Sequence, residues 1–130
     1  MARPASPQPT DLELQLLNIL WERAPLAASE IRDLLAETGR DIAHTSVLTT
    51  LNTMVKKKYL VRKKVGKAFL FSARVERGAV SQRLLKNVLN SVFGGSAKAV
   101  LSSLFDCTEI NADEIKELRR LINSKAKETE

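Results

Sequence analysis

The sequence predicts a mostly α-helical protein that carries one small β-hairpin. Two observations support this fold class. Apolar residues recur every three or four positions over most of the 130 residues, which indicates amphipathic helices. Residues 59–71 differ, because they have the composition of two short strands around a glycine turn. The elements are expected in the order of three helices, the hairpin and three further helices.

The first two helices are predicted within residues 10–37. Thr10 and Glu13 form a capping-box pattern at the start of the first helix, and Pro25 ends it. The second helix is expected near residues 28–37, with Gly39 as a left-handed cap. Helical spacing predicts one buried face on each helix, formed by Leu12, Leu16, Leu17, Leu20, Trp21, Ile31, Leu34 and Leu35. Trp21 is expected in the core under the third helix.

The third helix is predicted over roughly residues 44–58 and has two unlike faces. At about 100° per residue, an apolar arc is formed by Val47, Leu51, Met54 and Val55. The opposite arc holds Thr45, Thr49, Asn52 and Lys56. Short Thr and Asn side chains let a backbone approach closely and can contact base edges of duplex DNA. The alternative is an ordinary solvated polar face, and the helix alone does not decide between the two.

The charge distribution favours nucleic-acid binding. Residues 40–77 hold ten basic and two acidic residues, a net charge of +8, whereas residues 1–39 sum to −3 and residues 78–130 to +1. Eight of these cations fall within residues 56–74, which contain no acid. A hairpin directly after a third helix is the order of a winged helix-turn-helix, whose helix enters the major groove and whose wing lies along the backbone. Phe69 and Phe71 are expected to pack inward.

Residues 75–126 are predicted to form a helical dimerisation region, after a winged-helix domain at 10–74 and a disordered tail at 1–9. Gly94-Gly95 separates two of its helices, and Ser96 and Asn111 are candidate helix caps. A piece this small rarely makes a core of its own. A second copy of the chain is therefore favoured over folding back as a monomer. The interface is predicted to contain Leu85, Val88, Leu89, Val92, Leu101, Leu104, Leu118 and Ile122.

Composition argues against several other classes of protein. No apolar run approaches the ~20 residues that span a bilayer, and the N-terminus has no signal-peptide pattern. The single Cys107 cannot form an internal disulfide, which makes a cytoplasmic location the default, and a half-buried structural thiol is expected there. No residues gather as a catalytic constellation or a metal site, so we expect neither an enzyme nor a cofactor.

Several motifs together resemble the penicillinase-repressor family. They comprise residues 44–52 (HTSVLTTLN), the wing at 60–68, residues 93–96 (FGGS), the first helix around residues 13–21 and the last around 114–118. The resemblance covers roughly residues 8–124. It implies a homodimeric winged-helix repressor that binds a palindromic operator in double-stranded DNA. The alternative is a winged-helix protein–protein interaction module whose basic wing meets an acidic partner.

The resemblance also assigns roles to residues of the winged helix. The base-reading residues would be Thr45, Ser46, Thr49, Asn52 and Thr53. The phosphate contacts would be Lys56, Lys63, Lys64 and Lys67. His44 is either a further phosphate contact or an ordinary residue at the helix start. Leu48 and Thr53 stand where some family members carry Arg, so we expect a different operator sequence.

Relief of repression is the least defined property. In the family, a membrane sensor protease can cleave an Asn-Phe bond in the dimerisation helices. The matching position here holds Ser103-Leu104. A sensor protease is thus a partner only by resemblance. The copper-responsive branch uses several cysteines, and one Cys cannot replace them.

Overall fold

The computed structural model describes residues 8–129 and confirms the mostly helical fold class. Six helices and one three-stranded antiparallel sheet are seen in these residues. In chain order they are α1 (Asp11–Arg23), β1 (Leu26–Ala27), α2 (Ala28–Glu37), α3 (His44–Lys56), β2 (Leu60–Val65), β3 (Ala68–Ala73), α4 (Arg77–Ser91), α5 (Ala97–Cys107) and α6 (Ala112–Thr129). Most of the predicted tail, residues 1–7, lies outside the described residues.

The helix ends follow from local chemistry that the sequence displays. The Glu13 N–H donates to Thr10 Oγ1 (3.2 Å) and the Thr10 N–H to Glu13 Oε1 (2.8 Å), which confirms the capping box. Thr38 caps the end of α2, and Gly39 follows at φ 98°, a left-handed conformation that glycine adopts without a Cβ penalty. These caps fix where α1 begins and where α2 ends.

One hydrophobic core joins the first three helices to the sheet. Its fully buried side chains come from the predicted apolar faces and from the strands: Leu16, Leu17, Leu20, Ile31, Leu35, Val47, Leu51, Met54, Leu60 and Phe71. Leu12, Leu48 and Val55 pack against it while partly exposed. Burying one face of α3 in this way turns its other face outward.

The sheet has one strand that the sequence analysis did not predict. The strand order is β1-β3-β2, and Leu26 and Ala27 of β1 pair with Phe71 and Leu70. Two residues are too short to show an alternating pattern, so β1 carried no signal. The β2–β3 turn is closed by Gly66 at φ 62°, as a two-residue hairpin with glycine first requires.

Two aromatic residues lie elsewhere than predicted. Phe71 is buried, but Phe69 is 40% exposed because it pairs with Lys64 near the tip of the hairpin, beyond the core. Trp21 is half-buried at the core margin, and its Nε1 donates to the Val75 carbonyl at 2.8 Å. The indole N–H thus binds the segment between β3 and α4, which explains why it is not buried under α3.

The chain divides into two compact units, Met1–Leu85 and Lys86–Glu130. The predicted domain bounds, 10–74 and 75–126, stay a prediction. In the second unit, Ser96 Oγ accepts from the Ala99 N–H (3.1 Å) and Asn111 Oδ1 from the Glu114 N–H (2.8 Å), so both predicted caps are present. No side chain of residues 86–129 is buried. Within the described chain, no helix is long and apolar enough to cross a bilayer.

Candidate nucleic-acid interface

The outward face of α3 carries the five residues predicted to read bases. Four of them are exposed, namely Thr45, Ser46, Thr49 and Thr53, and the fifth, Asn52, is half-buried. This face lies opposite three fully buried side chains of the same helix. The structure therefore brings these polar side chains together on one accessible surface, which we call the reading face.

Three threonine hydroxyls of α3 donate their hydrogen bonds within the helix. The hydroxyls of Thr49, Thr50 and Thr53 donate to the carbonyls four residues earlier, at 2.8, 2.9 and 3.0 Å. A carbonyl oxygen can only accept, so each hydroxyl must be the donor. In this conformation Thr49 and Thr53 offer a ligand oxygen lone pairs and methyl groups. Those groups suit amino groups and thymine methyls of base edges.

The wing is attached to the reading face by Arg62. Its Nη1 donates to Asn52 Oδ1 at 2.6 Å, and its guanidinium carbon lies 4.6 Å from the centre of the Phe69 ring. Arg62 follows buried Leu60 by two residues and is therefore on the core-facing side of β2. A cation two residues after a core residue is the sequence signal that could have pointed to this contact, although Arg62 itself is exposed.

The five predicted phosphate contacts are all exposed. His44 begins α3 and Lys56 is its last residue, while the other three, Lys63, Lys64 and Lys67, belong to the wing. Strand alternation puts Lys63 and Lys64 on opposite faces of β2, where they pair with Leu70 and Phe69. The wing thus carries positive charge on both faces and at its tip.

One cation of the basic segment is not available to DNA. Lys57 Nζ lies 3.0 and 3.2 Å from the two carboxylate oxygens of Glu13, whose side chain is 3% exposed. The Lys57 side chain is 22% exposed and its Nζ lies 5.9 Å from the Tyr59 ring centre. This buried ion pair joins the start of α1 to the end of α3. The two residues are 44 positions apart in the chain, and no pattern in the sequence indicated that they pair.

Among the residues that the structure describes, no group of three or more His, Cys, Asp or Glu side chains could hold a metal ion. Cys107 is exposed, with its Sγ 3.7 Å from the Leu104 carbonyl, so the prediction of a half-buried thiol was wrong. Cys107 falls at the end of α5, where the helix leaves its last side chain open to solvent.

The predicted interface residues are accessible. Five of the eight are exposed, namely Leu85, Val88, Val92, Leu104 and Ile122. The other three are half-buried, namely Leu89, Leu101 and Leu118. Val92 is 70% exposed, and a further leucine of α6, Leu121, is 66% exposed. These large apolar side chains are thus open to solvent in the described part of the chain.

Comparison with known proteins assigns the sequence to a family. The family model described as Penicillinase repressor matches residues 9–124. The methicillin resistance regulatory protein MecI of Mammaliicoccus sciuri is 27% identical over 113 residues, 87% of this chain and 91% of MecI. A penicillinase repressor of Staphylococcus aureus is 24% identical over 115 residues, which cover 88% and 90% of the two chains.

Solved structures agree on the fold. The hsRosR-S4 complex contains a chain that superposes with a TM-score of 0.54 at 16% identity, over 95% of each chain. The structure of H. salinarum RosR grown from NaBr gives a TM-score of 0.52 at 15% identity, over 93% of this chain and 96% of RosR. At these identities the likeness shows a shared fold.

Proposed function

The chain belongs to the penicillinase repressor family of winged-helix transcriptional repressors, and we propose that it acts as a homodimer on a palindromic operator in double-stranded DNA. The reading face of α3 would enter the major groove, and the wing would lie along the phosphate backbone. The observation that carries this proposal is the direct contact between the two, the Arg62–Asn52 hydrogen bond of 2.6 Å. It makes the polar face and the cationic wing one surface.

The base-reading roles of Thr45, Ser46, Thr49, Asn52 and Thr53 follow from their position on that surface. The phosphate contacts would be exposed cations or donors of α3 and the wing, namely Lys56, Lys63, Lys64, Lys67 and His44. Phosphate contacts fix the register of a protein on DNA, and base contacts provide its sequence preference. The two sets thus have separable effects, which mutation can distinguish.

Dimerisation would occur through the apolar side chains of α4, α5 and α6. Because residues 86–129 bury no side chain by themselves, covering these residues with a second copy would remove apolar surface from water. A two-fold axis would then place two reading faces on two half-sites of a palindrome. The regulator would act in the cytoplasm, where the DNA is.

A membrane sensor protease remains a proposal based on the family. Ser103 and Leu104, which match the family's cleavage position, lie inside α5. Proteases cut exposed, irregular segments most readily. Cleavage between these two residues would therefore require α5 to unwind. Cleavage of a different bond, or a signal other than proteolysis, would also relieve repression.

Footprinting tests the proposed function. The purified full chain is titrated onto DNA taken from beside its own gene, and nuclease protection is mapped. We expect two protected half-sites related by two-fold symmetry and one or more helical turns apart. Protection that spreads evenly over the fragment, or none, would contradict operator binding and favour the protein–protein interaction module.

A further inference from the structure

We propose that Arg62 is a positioning residue that turns the Asn52 amide so that its NH₂ group reads an acceptor atom on a base edge. This inference rests on the proposed function and adds the kind of base-edge atom that one position of α3 recognises. It starts from the two contacts of Arg62, which hold its guanidinium between the wing and the helix.

The first contact fixes which way the Asn52 amide faces. A guanidinium group has five N–H donors and no acceptor. The atom of Asn52 that lies 2.6 Å from Arg62 Nη1 must therefore be the carbonyl oxygen Oδ1, and the NH₂ group must be at the other end. The usual ambiguity between the oxygen and the nitrogen of an asparagine does not arise here.

The second contact holds Arg62 itself in place. Its guanidinium carbon is 4.6 Å from the ring centre of Phe69, on the neighbouring strand β3. A guanidinium over an aromatic face is attracted by the ring quadrupole, and stacking restricts its rotation. Phe69 is exposed although it is a large apolar residue, and this contact gives it a role at the surface.

The free end of the Asn52 amide determines what it can bind. Asparagine reads adenine through both ends of its amide, because Oδ1 accepts from N6 and Nδ2 donates to N7. Here Oδ1 already accepts from Arg62, whereas Nδ2 has no partner in the described part of the chain. In the major groove, guanine offers N7 and O6, thymine O4 and adenine N7 as acceptors, whereas cytosine offers only an amino donor. An amide whose oxygen is held by Arg62 and whose NH₂ group faces the groove therefore matches one of these acceptors and disfavours cytosine.

The test combines base analogues with variants. A tight duplex is first selected from a randomised duplex pool with the full chain. Each guanine is then replaced singly by 7-deazaguanine, each thymine by 5-methyl-2-pyrimidinone and each adenine by 7-deazaadenine, which removes an acceptor, or by purine, which removes the amino group. Binding is measured for the wild type, Asn52→Ala, Arg62→Met and Lys63→Met. Lys63→Met is the matched control, because it removes one cation from the other face of β2.

At one position in each half-site, we expect removal of the acceptor to weaken wild-type binding roughly 5- to 100-fold. Asn52→Ala and Arg62→Met should show no such penalty there, whereas Lys63→Met binds more weakly overall and keeps the full penalty. A full penalty in Arg62→Met would overturn the positioning role. A penalty that depends on Asn52 but follows replacement of adenine by purine would show that Asn52 reads an amino group and would overturn the choice of an acceptor. If the wild type enriches no duplex at all, the proposed function itself fails.

Discussion

Thr49 lies in the middle of the reading face, and its hydroxyl proton is donated to the Thr45 carbonyl. In the proposed complex the side chain would therefore meet DNA with a methyl group and oxygen lone pairs. Residues of this kind contribute to affinity only when the correct base edge faces them. The role of a single side chain is thus best measured as a difference between two duplexes.

We predict that Thr49→Ala lowers affinity for the footprinted operator by about 1–2 kcal/mol and leaves affinity for random duplex unchanged. Fluorescence anisotropy with the two duplexes measures both. Thr50→Ala is the control, since Thr50 makes the same bond to the carbonyl four residues back but is outside the predicted reading set. Equal losses on both duplexes would show that Thr49 does not read sequence.

Lys64 tests the opposite behaviour, because a phosphate contact carries no sequence information. We predict that Lys64→Met weakens binding to operator and random duplex equally and reduces the slope of log affinity against log salt by about one unit per protomer. Lys125→Met, which removes an exposed cation of α6, should leave the slope unchanged. A loss confined to the operator would instead make Lys64 a base-reading residue.

At the scale of elements, the Glu13–Lys57 pair joins α1 to the end of α3, directly before the wing. Removing one partner of a buried ion pair leaves the other charge poorly solvated. The pair therefore ties the end of α3 to the start of α1.

We predict that Glu13→Gln lowers the free energy of unfolding by about 2 kcal/mol, measured by urea denaturation. The matched control is Glu22→Gln on the same helix. Glu22 is 72% exposed and lies 3.9 Å from Arg77, so its loss should change the free energy by less than about 0.5 kcal/mol. If the two variants unfold at the same urea concentration, the buried pair contributes nothing to stability.

The helices of the second unit lead to a prediction about assembly. Leu89→Asp puts a charge into the proposed interface and should yield a monomer that no longer binds the operator. Asn87→Asp on the same helix adds an equal charge at an exposed polar position and should remain dimeric. Sedimentation distinguishes one 14.4 kDa chain from two. An unchanged mass for Leu89→Asp would place the interface elsewhere.

Sequence reasoning succeeded where the determinants are local. Helix α2 was predicted at residues 28–37 and begins and ends there, because its caps and its glycine are adjacent to it. It failed where a contact depends on the assembled fold. The strand β1 exists only through pairing with β3, and the partners Asn52 and Arg62 meet only once β2 has its register. The prediction that Phe69 packs inward was wrong, because the alternation of side chains along a strand gives the face on which a residue lies but not the point along the strand where the core ends.

For the whole molecule, the uneven distribution of charge matters most. Residues 40–77 carry +8 while the remaining residues are close to neutral, and this segment contains both the reading face and the wing. Such a focused field attracts a polyanion to one side of the protein and raises the rate of encounter. The salt dependence of binding is therefore expected to report on the same surface that is proposed to recognise sequence.

The most direct test is a titration of the footprinted duplex and a scrambled duplex over a range of salt concentrations. If the four lysines of each protomer neutralise eight phosphates in the dimer, log affinity should fall with log salt at a slope of about −7 for both duplexes. The operator should be bound about a thousandfold more tightly or better. Equal affinity for the two duplexes, or no binding to either at low salt, would contradict the account.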